Sequence, residues 1–185
     1  MTRVDLGEGA WLEYTPNWIE PEAFEPLRAN LALEQVPIRI MGKSLMQPRL
    51  TAWYGDAGAS YTYSGRTFQP LPWTAELEAI RARLGGGYNS CLCNLYRDGR
   101  DSIGLHADDE PELGPTPQIA SVSLGSGRRF VLRHAREKGR KMVLELGGGA
   151  LLVMGGTTQL HWKHEVPKVA ALVGERLNLT FRNIF

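Results

Sequence analysis

Apolar and polar side chains alternate with period two in the last run of this chain, 177–182, and in part at 90–96 and 118–124, a pattern that predicts strands rather than helices. The runs at 90–96, 118–124, 129–134, 141–146, 150–154, 165–167 and 177–184 are short and rich in β-forming residues. Gly, Pro and Asp separate them at roughly 8 to 15 residue intervals, the spacing of a sandwich or barrel. Helical spacing is confined to two segments of the first half. The run 21–35 opens with proline and acidic residues and carries Phe24, Leu27, Leu31 and Leu33 near helical period. The run 74–84 has Thr74 as a cap, Glu76 and Glu78 near the positive end, and Leu77, Ile80 and Leu84 as an apolar stripe, with Gly85, Gly86 and Gly87 stopping it. The expected fold is mainly β with flanking helices (α+β), an antiparallel sandwich or jelly roll with the two helices packed outside.

Length and composition narrow the classes without selecting a function. A chain of 185 residues that is 43% hydrophobic and 22% charged is ordinary for a single globular domain, with no stretch able to span a membrane. The segment Met1 to Ala10 is acidic and glycine-rich, unlike a secretory leader, so an intracellular protein is expected, cytoplasmic or, in a eukaryote, nuclear. Cys91 and Cys93 would share one face of a strand and suit buried free thiols in a reducing compartment better than a metal or redox pair. The net charge of +1 argues for no particular partner. Its distribution is uneven, because Arg128 to Lys141 holds seven Lys or Arg against one Glu, with Gly139 as a hairpin tip. That hairpin is either a solvated charged face or a phosphate-contacting patch that includes Arg133, with His134 solvated or phosphate-facing.

The chemistry-bearing residues follow the same period. His106 and Asp108 project to one side of an extended segment, and His164 lies downstream. Two histidines and one carboxylate leave open positions on non-heme Fe(II), a ligand set suited to a metal that must also hold a cosubstrate and oxygen. On the last strand Arg176, Asn178, Thr180 and Arg182 fall on one face, with Leu177, Leu179 and Phe181 on the other. Two guanidiniums on one strand match a dicarboxylate gripped at each end, although a polar edge strand would show the same alternation. Asn94 and Tyr96 share a face of the 90–96 run and could bond the same anion. Zinc hydrolysis uses a similar ligand set but leaves the arginines unexplained, and no G-x-S-x-G elbow supports a serine triad. His161, three residues before His164, fits a structural role better than a third ligand.

These residues stand in an order that resembles the AlkB family of Fe(II)- and 2-oxoglutarate-dependent dioxygenases, closest to its mammalian nucleic-acid demethylase branch. The resemblance rests on Tyr54 to Gly58, Tyr61 to Gly65, Asn94-Leu95-Tyr96, Asp98 to Glu110, Ile119 to Ser123, His161 to His164 and Arg176 to Arg182, spanning residues 38–185. It implies a double-stranded β-helix, or jelly roll, at 90–185 within a single domain 1–185, with N-terminal helices and a nucleotide-recognition segment at 1–89. It implies His106, Asp108 and His164 as Fe(II) ligands and Asn94, Tyr96, Arg176, Asn178 and Arg182 as the 2-oxoglutarate site. Arg176 would meet the distal carboxylate, with Arg182 near the carboxylate that chelates iron. Tyr61 and Tyr63 match the position that stacks on a damaged base, and Glu110 a polar residue near its exocyclic edge.

The implied reaction uses O2 and 2-oxoglutarate to hydroxylate an N-methyl group of the 1-methyladenine or 3-methylcytosine type, releasing succinate and formaldehyde. Its partner would be methylated DNA, single- or double-stranded, or RNA, met by a monomer. Such a base must leave the stack at a cost of a few kcal/mol, which aromatic stacking worth about 1 to 3 kcal/mol per base offsets in part. Where the family's duplex-repair member carries an aromatic wedge, this chain has Met41, which can still insert as an apolar one. The alternative of the same chemistry is an oxygenase acting on a protein or small molecule.

Overall fold

The computed structural model describes residues 1–40, 43–59, 61–63 and 66–185, with backbone alone at 39, 40, 43, 61–63 and 66–68. The first half supplies β1 (Thr2–Gly7), β2 (Ala10–Thr15), α1 (Phe24–Asn30), β3 (Pro37–Ile40), β4 (Lys43–Met46), β5 (Leu50–Gly55), β6 (Tyr61–Tyr63), β7 (Arg66–Phe68) and α2 (Ala75–Leu84). The second supplies β8 (Ser90–Tyr96), β9 (Ile103–His106), β10 (Ile119–Gly125), β11 (Arg128–His134), β12 (Lys141–Leu146), β13 (Ala150–Gly156), α3 (Thr158–His161), β14 (Trp162–Val166) and β15 (Arg176–Arg182). A seven-stranded sheet runs β1-β2-β13-β10-β15-β8-β5 and faces a four-stranded sheet, β12-β11-β14-β9. From β8 to β15 the chain crosses between the sheets at every connection except the β11–β12 hairpin, which is the winding of a jelly roll.

Period two explains where each core lies. On β8, β10 and β15 the outward residues Cys91, Cys93, Leu95, Ala120, Val122, Leu124, Leu177, Leu179 and Phe181 are buried with Leu27, Leu31, Leu77 and Ile80 of the helical layer. Each such Leu contributes about 1.5–3 kcal/mol of transfer free energy, so this face pins the register. A slip of one residue would drive Arg176, Asn178 and Thr180 into the helices. The inter-sheet core is a second cluster, including Tyr96, Ile119, Phe130, Leu132, Leu152, Met154 and Trp162. Cys91 and Cys93 are buried free thiols, as their spacing suggests. Thr74 caps α2 by accepting from the Leu77 amide at 3.3 Å, and Gly85 ends it at φ +64°.

Three local expectations change. The 21–35 helix is a 3-10 turn at Pro21–Ala23 followed by α1, and it stops at Leu31 because the chain turns extended there and Glu34 bridges Thr51. Residues 1–15 form a hairpin whose β2 pairs with β13, so strands from the first 89 residues continue the sheet built by the last 96. Gly7-Glu8-Gly9 between alternating apolar positions is the signal for that hairpin. His134 is neither solvated nor phosphate-facing: it is 8% exposed, and its Nε2 lies 2.8 Å from Glu8 Oε2.

The loop after β8 is held from two sides. Arg128, buried at the start of β11, donates to the carbonyls of Asp98 (3.0 Å), Asp101 (2.8 Å) and Pro167 (2.8 Å). Asp101 accepts from Arg97 Nε at 2.7 Å and Nη2 at 2.9 Å. Gly99 packs so closely on the Val169 carbonyl that no side chain fits there. Burial works against ionisation of Asp101, but the Arg97 guanidinium and amide outweigh it and hold the carboxyl below its usual range.

Replacing Arg128 with Met strands three carbonyls and is expected to lower unfolding free energy by about 3 kcal/mol, measured by urea titration. Because Asp101 folds with a depressed pKa, its contribution is complete above its unfolded value of about 4 and is lost as pH falls through the folded value. The urea midpoint of Asp101→Asn is therefore expected below the parent's at neutral pH, with the gap closing below that range.

Candidate active site

His106 closes β9 and His164 sits directly opposite it on β14, so strand register alone brings the two rings to a 4.3 Å centroid separation. Asp108, two residues past His106, places Oδ1 3.6 Å from His106 Nε2. One ligand atom from each of the three lies within 4.8 Å of the others, close enough to share one metal ion. The three are not equally open: the side chain of His106 is 32% exposed and that of Asp108 3%, so the cluster faces solvent on the His106 side.

The surroundings set the protonation states that ligation needs. His106 Nδ1 lies 2.8 Å from the Gly104 carbonyl, an acceptor only, so Nδ1 carries the proton and Nε2 presents a lone pair. Burial, countered by Asp108, pushes the His164 pKa down to about 4, keeping its imidazole neutral near pH 7. Phe130 stacks on that ring with centroids 5.2 Å apart. Burial opposes charge on Asp108 too, but Arg182, with Nη2 2.7 Å from Oδ2, leads the neighbours that hold its carboxyl below the ordinary range. From behind, the Asp108 amide donates to Gln159 Oε1 on α3 at 2.9 Å.

Beside this cluster the inward faces of β8, β10 and β15 form a polar wall inside the sandwich. Register sets Arg176 opposite Tyr96 and Asn178 opposite Asn94, with Ser123 and Ser121 on the other flank. Arg176 is 1% exposed. Its Nη2 donates to Ser123 Oγ at 2.8 Å, whereas Nε and Nη1 are buried with no hydrogen-bond partner among the described residues. Burial depresses its pKa, with Tyr96 working against the shift. Asn178 donates to Ser121 Oγ at 2.7 Å and accepts from Thr180 at 3.0 Å. Arg49 donates through Nε to Asn94 Oδ1 at 2.7 Å, so the Asn94 amide is held with its NH2 available as a donor. A carboxylate would meet donors on several sides here, and two charge-assisted bonds would satisfy Arg176.

A second trio, Glu8, His134 and His161, also has ligand atoms within 4.8 Å of one another. Its hydrogen bonds unsuit it for metal. His134 Nδ1 accepts from the amides of Glu137 (2.9 Å) and Arg136 (3.4 Å), so Nε2 must carry the proton that it donates to Glu8. A metal at Nε2 would require an imidazolate. The trio is a clasp between the N-terminal hairpin and the β11–β12 turn.

The sequence-derived candidates therefore divide into three groups. His106, Asp108 and His164 converge, and Asn94, Tyr96, Arg176, Asn178 and Arg182 lie on two adjacent strands of the wall beside them. Glu110 is exposed two residues beyond Asp108, and Arg133 is exposed on β11 with Nε 3.0 Å from Glu165. Met41 lies outside the described residues, and for Tyr61 and Tyr63 the description covers the β6 backbone only. Gln159, Arg49, Ser121 and Ser123 emerge only from the fold; Ser121 and Ser123 alternate with Ala120, Val122 and Leu124, which is the signal that marks them as inward-facing.

Residues 12–182 match the model of the 2OG-Fe(II) oxygenase superfamily. The chain is 43% identical over 158 residues to mouse DNA oxidative demethylase ALKBH2, covering 80% of this chain and 66% of that protein. It is 44% identical over the same length to the human ALKBH2, covering 80% of this chain and 60% of that one. To the rat alpha-ketoglutarate-dependent dioxygenase alkB homolog 3 it is 44% identical over 152 residues, covering 75% of this chain and 51% of that protein. The chain thus spans less than two thirds of these relatives' length. Among solved structures, OsALKBH1 superposes with a TM-score of 0.65 at 19% identity, covering 98% of this chain and 100% of that one. A 2OG-Fe(II) oxygenase family oxidoreductase from Burkholderia pseudomallei gives 0.61 at 21% identity, covering 92% and 84%. The superfamily implies Fe(II), 2-oxoglutarate and O2. The donor set and the unpaired nitrogens of Arg176 fit the first two.

With Mn(II) standing in for iron, 2-oxoglutarate at 100 times its dissociation constant is expected to stabilise the parent by about 2.7 kcal/mol. In Arg176→Met the shift in melting temperature at the same concentration should disappear while Mn(II) alone still stabilises.

Proposed function

We infer that this chain, which belongs to the 2OG-Fe(II) oxygenase superfamily, is an oxidative demethylase of N-alkylated bases such as 1-methyladenine and 3-methylcytosine in DNA. The observation that carries the chemistry is a buried arginine with two unpaired nitrogens on the wall next to a two-histidine, one-carboxylate cluster. The substrate class is supported by identity of 43–44% to proteins named as DNA oxidative demethylases.

In this reading His106 Nε2, Asp108 and His164 hold Fe(II), and Arg176 with Asn94, Tyr96 and Asn178 binds the distal carboxylate of 2-oxoglutarate. Arg182 neutralises the inner end, where Asp108 and the chelating carboxylate would otherwise repel each other across a low-dielectric space. The bound metal with O2 and 2-oxoglutarate supplies the oxidising power: the cosubstrate leaves as succinate and CO2, and the hydroxylated N-methyl group leaves as formaldehyde. Oxidation is required because an N-methyl group on a ring nitrogen gives hydrolysis no good leaving group. The protein contributes placement and dryness. Phe130, Leu132 and Trp162 wall the inter-sheet space, and the exposed edge of His106 marks the side from which a flipped base arrives.

By their match to the family's motif positions, Tyr61 and Tyr63 stack on the base, Met41 fills the gap it leaves and Glu110 meets its exocyclic edge, while Arg133 of the basic hairpin contacts backbone phosphate. Residues 1–185 act as one catalytic domain and as a monomer. Its substrate is single- or double-stranded DNA, and RNA carrying the same lesions offers the same reactive group. It works where its nucleic acid lies, the cytoplasm of a prokaryote or the nucleus of a eukaryote.

Mass spectrometry of short oligonucleotides bearing a single 1-methyladenine or 3-methylcytosine tests this, with protein, Fe(II), 2-oxoglutarate and air. The expected result is a loss of one methylene mass that needs 2-oxoglutarate and is absent with Asp108→Ala. Consumption of 2-oxoglutarate with every oligonucleotide unchanged would leave the oxygenase and reject the nucleic-acid substrate in favour of a protein or small molecule.

A further inference from the structure

α3 is a single turn of helix placed between β13 and β14, and no motif of the sequence singles out its Thr158 or Gln159. Three observations set it apart. Thr158 is 1% exposed and ties the turn to the N-terminal hairpin: its hydroxyl lies 2.6 Å from the Gly155 carbonyl and 3.1 Å from both the amide and the carbonyl of Trp11. Gly155 leaves room for the Trp11 ring, which would overlap any Cβ at that position. Gln159, 5% exposed, points the other way and accepts the Asp108 amide at 2.9 Å, while its own Nε2 lies 3.6 Å from Met154 Sδ. A buried side-chain amide thus reaches 51 residues along the chain to hold the backbone of one member of the cluster.

The location of Asp108 explains why that grip matters. His106 and His164 are fixed by cross-strand pairing, since each belongs to a strand whose neighbour is the other. Asp108 lies past the end of β9, outside any ladder. Its carboxylate is drawn by Arg182 at 2.7 Å, and strand pairing supplies no opposing hold on its main chain. The hydrogen bond to Gln159 supplies one, and it also satisfies an amide that would otherwise be orphaned beside a buried residue.

We propose that Gln159 is a positioning residue for the metal site, fixing the main chain of Asp108 so that its carboxylate meets the same ion as His106 and His164. The proposal rests on the assignment of those three as metal ligands. It treats α3 as a common anchor, because the turn that holds Asp108 also leads directly into the strand carrying His164. Outer partners of this kind typically change metal affinity by 10- to 100-fold when removed.

The test is a titration of the whole 185-residue chain with Mn(II), followed by the EPR signal of the free ion, without cosubstrate and without turnover. Gln159→Leu keeps the volume and loses the acceptor; its Mn(II) dissociation constant is expected to rise 10- to 100-fold. Gln159→Asn keeps the amide but shortens its reach, and an intermediate rise is expected. Met154→Leu perturbs the same patch of core while leaving the acceptor in place, and should bind as the parent does. The 2-oxoglutarate KM at saturating metal should stay within about twofold of the parent in Gln159→Asn, since the Arg176 wall is untouched. Parent-like affinity in both Gln159 variants would overturn the proposal, as would equal weakening by Met154→Leu, which would mark the effect as one of packing. Parent-like Mn(II) binding by Asp108→Ala would instead reject the ligand assignment itself.

Discussion

A guanidinium sealed inside a β-sandwich, with no carboxylate paired to it among the described residues, is the constraint around which the rest of this molecule is arranged. Desolvating Arg176 is costly, and the fold tolerates it because one bond to Ser123, the ring of Tyr96 and the surrounding polar wall make up part of the lost hydration. The opposite face of the same strand stabilises what this face cannot. Leu177, Leu179 and Phe181 are fully buried under the helices, so β15 keeps its register despite presenting four polar side chains inward. A carboxylate set against that face would give Arg176 the partners that the described residues do not, and the donors are already in place to receive it.

The two histidine trios show how hydrogen bonding, more than composition, separates a cluster suited to a metal from a structural clasp. Both bring two imidazoles and a carboxylate within the same span. At His106 the inner nitrogen meets a carbonyl, which leaves the outer one as a lone pair. At His134 the inner nitrogen meets two amides, which forces the outer one to be a donor satisfied by Glu8. Spacing in the sequence cannot distinguish these cases, because the deciding groups are backbone atoms of neighbouring turns.

What could be read from the chain beforehand follows the same physical line. The jelly roll, the outward thiols Cys91 and Cys93 and the alternating β15 were legible because period-two patterning survives in the sequence wherever a strand is buried on one side and functional on the other. His106 and Asp108 were legible as a pair because their i, i+2 spacing sets them on one side of an extended segment, although β9 itself ends at His106. The β1–β2 hairpin has only the Gly7-Glu8-Gly9 turn as a local signal, and the helical spacing of 21–35 runs past the end of α1 because Leu33 continues it while the backbone turns to meet Thr51. Gln159 and Arg49 were invisible: each acts across a long gap in sequence on a single atom of another residue, and no local pattern encodes that.

The central claim is that one metal bound by His106, Asp108 and His164 shares a 2-oxo acid with the arginine wall beside it. Visible absorption of the Fe(II)-loaded protein, titrated with 2-oxoglutarate in the absence of oxygen, measures that sharing directly, because chelation of Fe(II) by the 2-oxo carboxylate creates a metal-to-ligand charge-transfer band. The expected result is a band that saturates at one 2-oxoglutarate per chain in the parent, is absent in Asp108→Ala, and needs far more 2-oxoglutarate in Arg176→Met. A parent that binds Fe(II) and 2-oxoglutarate without developing the band, or an Asp108→Ala protein that develops it in full, would contradict the claim.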